Sequence, residues 1–190
     1  MKAGTERVQW AVFSDTHGNS GAMRSALASD RFDAIAHLGD GVAEASALAR
    51  EAGIPLHAVS GNEDGAADYP ETRSVTFGAD TAFLIHGHRL DLNPYQGPDR
   101  WQLHFASMEA LMVRHVARLL FFGHTHVPVL TSVTRGIICN PGSMYHGSNR
   151  PHTFAVAQSH DGTLTVRLMR QDGHAWIMDK ELSLEAAPRG

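Results

Sequence analysis

The stretch Val8-Gln9-Trp10-Ala11-Val12-Phe13-Ser14-Asp15-Thr16-His17-Gly18-Asn19 decides how the rest of the chain reads. Its first seven residues are mostly apolar, β-branched or aromatic, the pattern of a buried strand. The strand runs directly into an aspartate, a histidine and a glycine. Residues 20–29 follow as a helix containing Ala22, Met23, Ala26 and Leu27. The same unit then recurs. Residues 34–38 read as a second strand ending at Gly39-Asp40, and residues 42–51 as a second helix closed by Gly53 and Pro55. Residues 56–59 read as a third strand, ending at Ser60-Gly61-Asn62. Strand, loop and helix with short connections predict right-handed βαβ units and a parallel sheet.

Beyond residue 70 the pattern changes. Residues 74–77 and 81–85 flank Gly78-Ala79-Asp80 and predict a β-hairpin. Residues 91–101, with Asn93, Pro94, Gly97 and Pro98, read as an irregular loop. Residues 104–118 carry Phe105, Met108, Leu111, Met112 and Val116 near helical spacing, a stripe that reads as core packing. Residues 119–122, 127–134, 137–140, 153–158 and 163–169 read as further strands, with Asp161-Gly162 as a hairpin turn. Residues 1–190 are expected to form one domain, with 1–7 and 185–190 as frayed ends.

A chain of 190 residues with 43% hydrophobic and 19% charged residues can bury a sizeable core. Its formal charge of −4 leaves no basic footprint for nucleic acid. The single cysteine, Cys139, rules out an intrachain disulfide framework and reads as a small buried hydrophobe on a strand. Neither a signal-type apolar segment nor a membrane span is evident, so the expected location is the cytoplasm. The unusual feature is 13 histidines, and the question is which of them fall in motifs.

Seven side chains of the metal-binding type fall in five glycine-marked phrases: Asp15-Thr16-His17-Gly18-Asn19, Gly39-Asp40, Gly61-Asn62-Glu63-Asp64, His86-Gly87-His88 and Gly123-His124-Thr125-His126. These phrases follow strand patterns, and in open α/β sheets ligands bind beyond the carboxyl ends of the strands. Two divalent ions about 3.5–4 Å apart can clamp a phosphoryl group and activate a water. Holding them that close calls for a bridging carboxylate, which Asp40 would supply. Imidazoles add affinity for transition metals. The i, i+2 pairs Asp15/His17 and His124/His126 would project to one side if extended. Taken singly, each residue has a plainer reading: Asp15 and Asp40 as helix N-caps, Asn62 as a turn residue, and His86, His124 and His126 as packed histidines. The ordered set favours a metal site.

Those phrases resemble the calcineurin-like metallophosphoesterases, whose pattern is D-x-H, G-D, G-N, H-G and G-H-x-H in that order. Asn140-Pro141-Gly142-Ser143 resembles the N-P-G-S phrase that follows. Compact size and the wording of the histidine phrases are most similar to the small bacterial and archaeal phosphodiesterase branch. The resemblance implies an α/β four-layer αββα sandwich, two mixed β-sheets flanked by helices. It implies Asp15, His17 and His126 on one ion, Asn62, His86 and His124 on the other, and Asp40 between them. Asp40, Asn62, Glu63 and His88 are then the expected catalytic set. Glu63 stands where many members carry a histidine that assists the leaving group, a departure the phosphodiesterase branch often shares. Asp64 is expected to orient a neighbour. Gly41-Val42-Ala43-Glu44 lacks the phosphate-gripping arginine of the protein-phosphatase and diadenosine-tetraphosphatase branches.

The implied activity is a dinuclear metal-dependent phosphodiesterase in which a metal-bound hydroxide attacks phosphorus in line. Manganese is the first choice of metal, with iron, nickel, cobalt or zinc as alternatives. The expected partner is a small phosphorylated substrate, with neither nucleic acid nor membrane, and no oligomeric state is implied. A phosphomonoesterase or nucleotide pyrophosphohydrolase using the same cluster is the alternative, with Arg100 or Arg150 as the candidate phosphate grip. A protein-binding scaffold with a residual metal site is the third reading. The 91–101 loop, through Tyr95, Arg100 and Trp101, is expected either to wall the substrate cleft or to be an exposed connection anchored by its tryptophan.

Overall fold

In the computed structural model, residues 7–65 and 69–185 are described. Among them β1 (Val8–Phe13), α1 (Ser20–Leu27), β2 (Ala34–His37), α2 (Val42–Ala52) and β3 (Leu56–Ala58) form the expected βαβ succession, with β1, β2 and β3 parallel. Then come the hairpin β4 (Thr72–Phe77) and β5 (Asp80–Ile85), a 3-10 turn at His88–Leu90, and α3 (Pro98–Arg114). Strands β6 (Leu119–Phe122), β7 (Val129–Ser132), β8 (Ile137–Asn140), β9 (Thr153–His160), β10 (Thr163–Asp172) and β11 (Ala175–Glu185) complete it.

The strands make two mixed sheets, ordered β11-β10-β9-β1-β2-β3 and β4-β5-β6-β8-β7. Alternation along the buried strands sorts their side chains into layers. Trp10 and Val12 of β1 point between the sheets, where they meet Phe77, Leu84, Phe121 and Cys139 of the other sheet. Ala11 and Phe13 point outward and pack with Ile35 and Phe154 under Met23 and Ala26 of α1 and Leu48 of α2. On the second sheet Phe83, Leu120 and Phe122 face outward onto Met108 and Met112 of α3. The result is the expected αββα sandwich. Cys139 lies in the middle layer as a free, buried thiol, and burial pushes its pKa up.

Four local readings need correction. Helix α3 begins at Pro98 rather than near 104, because Gly97 precedes it and a proline in the first turn suits the fixed proline φ. Only the front of the 91–101 segment is therefore irregular. The helix also ends earlier, at Arg114, with Val116 in the left-handed region at φ 52°. Strand β11 had no counterpart in the sequence reading. It is a sheet edge, largely exposed, and Asp179-Lys180-Glu181 break its apolar alternation, as charges on edge strands commonly do. Its last residue, Glu185, pairs with Thr163 rather than fraying, while 1–6 and 186–190 lie outside the described residues.

Candidate metal centre

Asp15 and His17 follow β1, Asp40 follows β2, Asn62 follows β3, His86 follows β5, and His124 and His126 follow β6. All are thus carried to the same edge of the sandwich. The loops are not extended. Asp15, His17, Asp40, His124 and His126 have φ between 43° and 70°, five of the eight non-glycine residues with positive φ among those described. Such backbone costs on the order of 1–3 kcal/mol per residue and persists where the surroundings over-determine it. The directions of the D-x-H and H-x-H side chains are therefore set by left-handed turns, not by strand alternation.

Hydrogen bonds hold those turns. Asp15 N–H donates to Gly39 O at 3.0 Å, and Thr16 and His17 N–H donate to Asp40 O at 2.9 and 3.1 Å. The Asp64 carboxylate accepts the N–H groups of Asp40, Gly41, Val42 and Gly61 at 2.7–3.0 Å, so it caps α2 and clasps the Asp40 and Asn62 loops together. Those four donors hold its pKa below the ordinary carboxylate value although burial opposes them. Glu44 accepts from Gly18 N–H at 2.6 Å and from Thr16 Oγ1 at 2.8 Å. Behind Thr16 lies His37, fully buried, whose Nδ1 accepts from Gly39 N–H and whose Nε2 is 3.2 Å from Thr16 Oγ1. Burial pushes its pKa down to about 4, so it is neutral at pH 7.

The two sheets meet at the centre through Gly123. A Cβ there would lie 1.9 Å from Ser14 Oγ and 2.9 Å from Asp15 Oδ2, so no side chain fits. In that gap Asp15 Oδ2 accepts from Ser14 Oγ at 2.6 Å and from His124 N–H at 2.9 Å. The Asn140–Ser143 phrase closes the floor. Asn140 Nδ2 donates to Gly123 O and Thr125 Oγ1, and Ser143 Oγ donates to Asp15 O at 2.8 Å. Neither Asp15 nor Asp40 is a helix N-cap: Asn19 caps α1 through Ala22 N–H.

The donor atoms converge. His17 Nε2 and His126 Nε2 face each other at 3.2 Å, and Asp15 Oδ1 is 3.2 Å from His126 Nε2. That oxygen is buried and makes no hydrogen bond. His86 Nε2 lies 3.3 Å from Asp40 Oδ2 and 3.2 Å from Asn62 Oδ1. Three overlapping groups, Asp15/His17/His126, Asp15/Asp40/His86 and His17/Asp40/Glu63, have ligand atoms within 4.8 Å of one another. His124 belongs to none of them; its ring sits edge-on to His86 with centroids 5.2 Å apart. His88 stands 5.5 Å from His86 and 6.3 Å from His124. Glu63 contacts His17 Nδ1 at 3.1 Å.

Two buried carboxylates here demand positive charge. Burial would lower the His86 pKa, but the carboxylates of Asp40 and Asp15 outweigh it and raise it. Asp15 raises that of His126. Burial, then the neighbouring His86, lower those of His124 and His88. Carboxylates that raise the pKa of two neighbouring imidazoles form an electronegative site that a divalent cation suits.

Beside the centre, a cleft of about 380 Å³ is lined by Pro94, Tyr95, His124, His126, Tyr145 and Arg150 among others. Tyr95 thus stands at the cleft. Trp101 does not: it packs on Phe105 and Phe122 in the outer core, and Arg100 pairs with Asp91. A larger cavity, about 610 Å³ along α2, contains none of the seven residues singled out as metal-binding. Glu44, His37 and Tyr145 had no motif to mark them, and only the resemblance of the Asn140–Ser143 phrase pointed toward that loop.

Residues 8–162 match the model of the calcineurin-like phosphoesterase superfamily domain. The chain belongs to the calcineurin-like phosphoesterase superfamily. A probable metallophosphoesterase of Bacillus subtilis, YsnB, is 27% identical over 172 residues, covering 86% of this chain and 91% of that protein. Vacuolar protein sorting 29 of Cryptosporidium parvum superposes with a TM-score of 0.76 at 18% identity, covering 94% of this chain and 98% of that one. A structure described as a novel archaeal phosphodiesterase superposes with a TM-score of 0.62 at 18% identity, over 93% and 100% of the two chains. At these identities the two superpositions speak to the fold alone. The superfamily typically binds divalent metals, and the converging side chains are candidate ligands for them. No helix among the described residues is long and apolar enough to cross a membrane.

Proposed function

We propose that this protein is a dinuclear metal-dependent phosphodiesterase, acting as one domain in the cytoplasm on a small phosphorylated substrate. Asp15, His17 and His126 would hold one ion, Asn62, His86 and His124 the other, and Asp40 would serve both. The observation that carries the reading is the meeting of His17 Nε2, His126 Nε2 and the buried Asp15 Oδ1 at one point. When bound, two divalent cations polarise phosphoryl oxygens and lower the pKa of a water; manganese, iron, nickel, cobalt or zinc suit the mixed nitrogen and oxygen donors.

The chain supplies orientation. His86 Nδ1–H donates to Leu38 O at 2.7 Å, which turns Nε2 toward Asp40. Glu63 takes the Nδ1 side of His17, which turns its Nε2 toward His126. Asp40 Oδ1 accepts from Glu63 N–H at 2.8 Å, which leaves Oδ2 for the centre. Such outer partners fix tautomers and ring planes. Glu63 is engaged with His17, and burial together with the neighbouring His86 lowers the pKa of His88, so neither of these two expected catalytic groups is favoured as a proton donor. Esters whose leaving group departs unaided are therefore the better substrates, which favours activated diesters over alkyl monoesters.

The test is hydrolysis of bis(p-nitrophenyl) phosphate by chelator-stripped protein with Mn, Ni, Co, Zn or Mg restored singly. Metal-restored activity that disappears in Asp40→Asn is the expected result. Full metal-dependent activity in both Asp40→Asn and His124→Ala would remove the ligand assignment. A second reading, a binding scaffold, is supported by the fold shared with vacuolar protein sorting 29 and by exposed Leu103, Val113 and Val116 around α3. Protein that binds no transition metal at micromolar concentration would favour it.

A further inference from the structure

The cleft beside His126 contains two features that a metal centre alone does not require. The first is Tyr145. Its ring lies 5.1 Å from that of His17 and 6.0 Å from that of His126, edge to face with both, and the residue is 42% exposed. The chain makes room for it at Gly147, where a Cβ would lie 2.4–2.5 Å from Tyr145 Cζ, Cε1 and Oη. The ring is therefore seated on bare backbone at the edge of the centre, with another face open to the cleft. Tyr95, 94% exposed, lines the same cleft on a segment tied down by Asn93 Oδ1 and by Gln96, which His104 holds at 2.7 Å.

The second feature is Arg150. Among the described residues its guanidinium makes no ion pair and no hydrogen bond; only its backbone N–H is engaged, by Ser148. It borders both the cleft and an adjoining hollow of about 130 Å³, which His126, Ser148 and Arg170 also line. Arg170 is paired with Asp179 at 3.7 Å, so Arg150 is the cation left to meet a ligand there. In a chain of net charge −4, an unpaired arginine that shares a hollow with the proposed metal ligand His126 and a second arginine marks an anion subsite.

We propose that this cleft is a nucleotide subsite: Tyr145 flanks a planar heteroaromatic group, and Arg150 receives a phosphoryl group other than the one being cleaved. The substrate class is then a small nucleotide diester bearing a further phosphate, such as a 5′-phosphorylated dinucleotide. The cleft volume suits one nucleoside unit. The inference rests on the phosphodiesterase reading for its reaction, but not for its binding.

The test is calorimetric binding of adenosine 3′,5′-bisphosphate and adenosine 5′-monophosphate to manganese-loaded protein. Wild type is expected to prefer the bisphosphate about tenfold, and Arg150→Ala to lose that preference, as removal of a charge-assisted phosphate contact requires. Gly147→Ala, which displaces the Tyr145 ring, is expected to weaken both ligands about tenfold, the order of one lost base-stacking contact. Its backbone conformation tolerates alanine, and an unchanged thermal midpoint will show that the fold is kept. Equal binding of the two ligands by wild type, or a preference that survives in Arg150→Ala, would overturn the proposal. Hydrolysis of bis(p-nitrophenyl) phosphate measured alongside separates the two readings. Activity without the bisphosphate preference removes the subsite alone, and the preference without activity removes the phosphodiesterase alone.

Discussion

The two halves of the centre are built differently. On the Asp15/His17/His126 side the turn from Asp15 to Gly18 is tied by hydrogen bonds: Asp15 Oδ2 by Ser14 and His124 N–H, the Asp15 carbonyl by Ser143, Gly18 and Thr16 by Glu44, and His17 Nδ1 by Glu63. On the other side His86 is fixed through Leu38 O, but Asn62 stands on an exposed turn, and the His124 ring lies against the imidazoles of His86 and His88 with no hydrogen bond among the described residues. Preorganised ligands lose less freedom on binding, so the first half should fill at a lower metal concentration than the second. One centre would then have two affinities, set by the hydrogen bonds behind the ligands rather than by the ligands themselves.

The strongest way to break that picture is Asp40→Asn, which removes the carboxylate proposed to serve both halves. Activity should fall by more than the roughly 10- to 100-fold typical of changes outside the ligand shell, and both metal equivalents should weaken. Loss of one equivalent only would place Asp40 in a single half. His124→Ala and His126→Ala address the asymmetry directly. In a metal titration His124→Ala should abolish the weaker step and leave the tighter one, whereas His126→Ala should blunt the tighter step. The reverse assignment would show that preorganisation does not set the order of filling.

The ordered half also carries an acid-sensitive support. His37 has its pKa lowered to about 4 by burial, against about 6.5 in the unfolded chain. Between those values the unfolded state binds the proton and the folded state does not. The contribution is therefore complete above pH 6.5 and is lost as pH falls toward 4, by about 3 kcal/mol in all. Urea unfolding of metal-free wild type and His37→Gln, compared at pH 7.5 and 4, should show their difference shrinking by about that amount. A constant difference would mean that the proton is taken up elsewhere.

The sequence disclosed the fold where burial imposed a period. β1, β2 and β6 are apolar on both faces, and their ends coincide with the phrases carrying Asp15, Asp40 and His124. It did not disclose β11, because an exposed edge strand has no face to keep apolar. Membership of the motifs was legible for Asp15, Asp40 and His86; their support was not. Glu44 sits on a helix 26 residues from Gly18, and His37 reads as a strand residue like its neighbours, so nothing local ties either to the site. The pairs Asp15/His17 and His124/His126 were legible as pairs, but for the wrong geometric reason, since their turns are left-handed. Composition records which ligands exist, while the hydrogen bonds that make one half firmer than the other arise between distant segments.

Glu63 offers the finest test of that difference. It is exposed, and its carboxylate reaches His17 Nδ1 at 3.1 Å while its N–H holds Asp40 Oδ1 at 2.8 Å. The backbone contact survives any side-chain replacement, so Glu63→Ala removes only the orientation of His17. A freed imidazole can turn its other nitrogen, or neither, toward His126. The first metal step should weaken by about tenfold, at the low end for an outer partner because the pair is solvent-exposed, and the second step should hardly move. Glu63→Gln keeps an acceptor for Nδ1–H and should restore most of the loss. If both variants weaken both steps equally, Glu63 is itself a ligand between the two ions, as its place in the His17/Asp40/Glu63 group permits. If Glu63→Ala instead leaves binding intact but slows diesters with poor leaving groups, the carboxylate acts on the leaving group, and the firmness of the first half must come from the bonds made by Ser14, His124 N–H, Glu44 and Ser143.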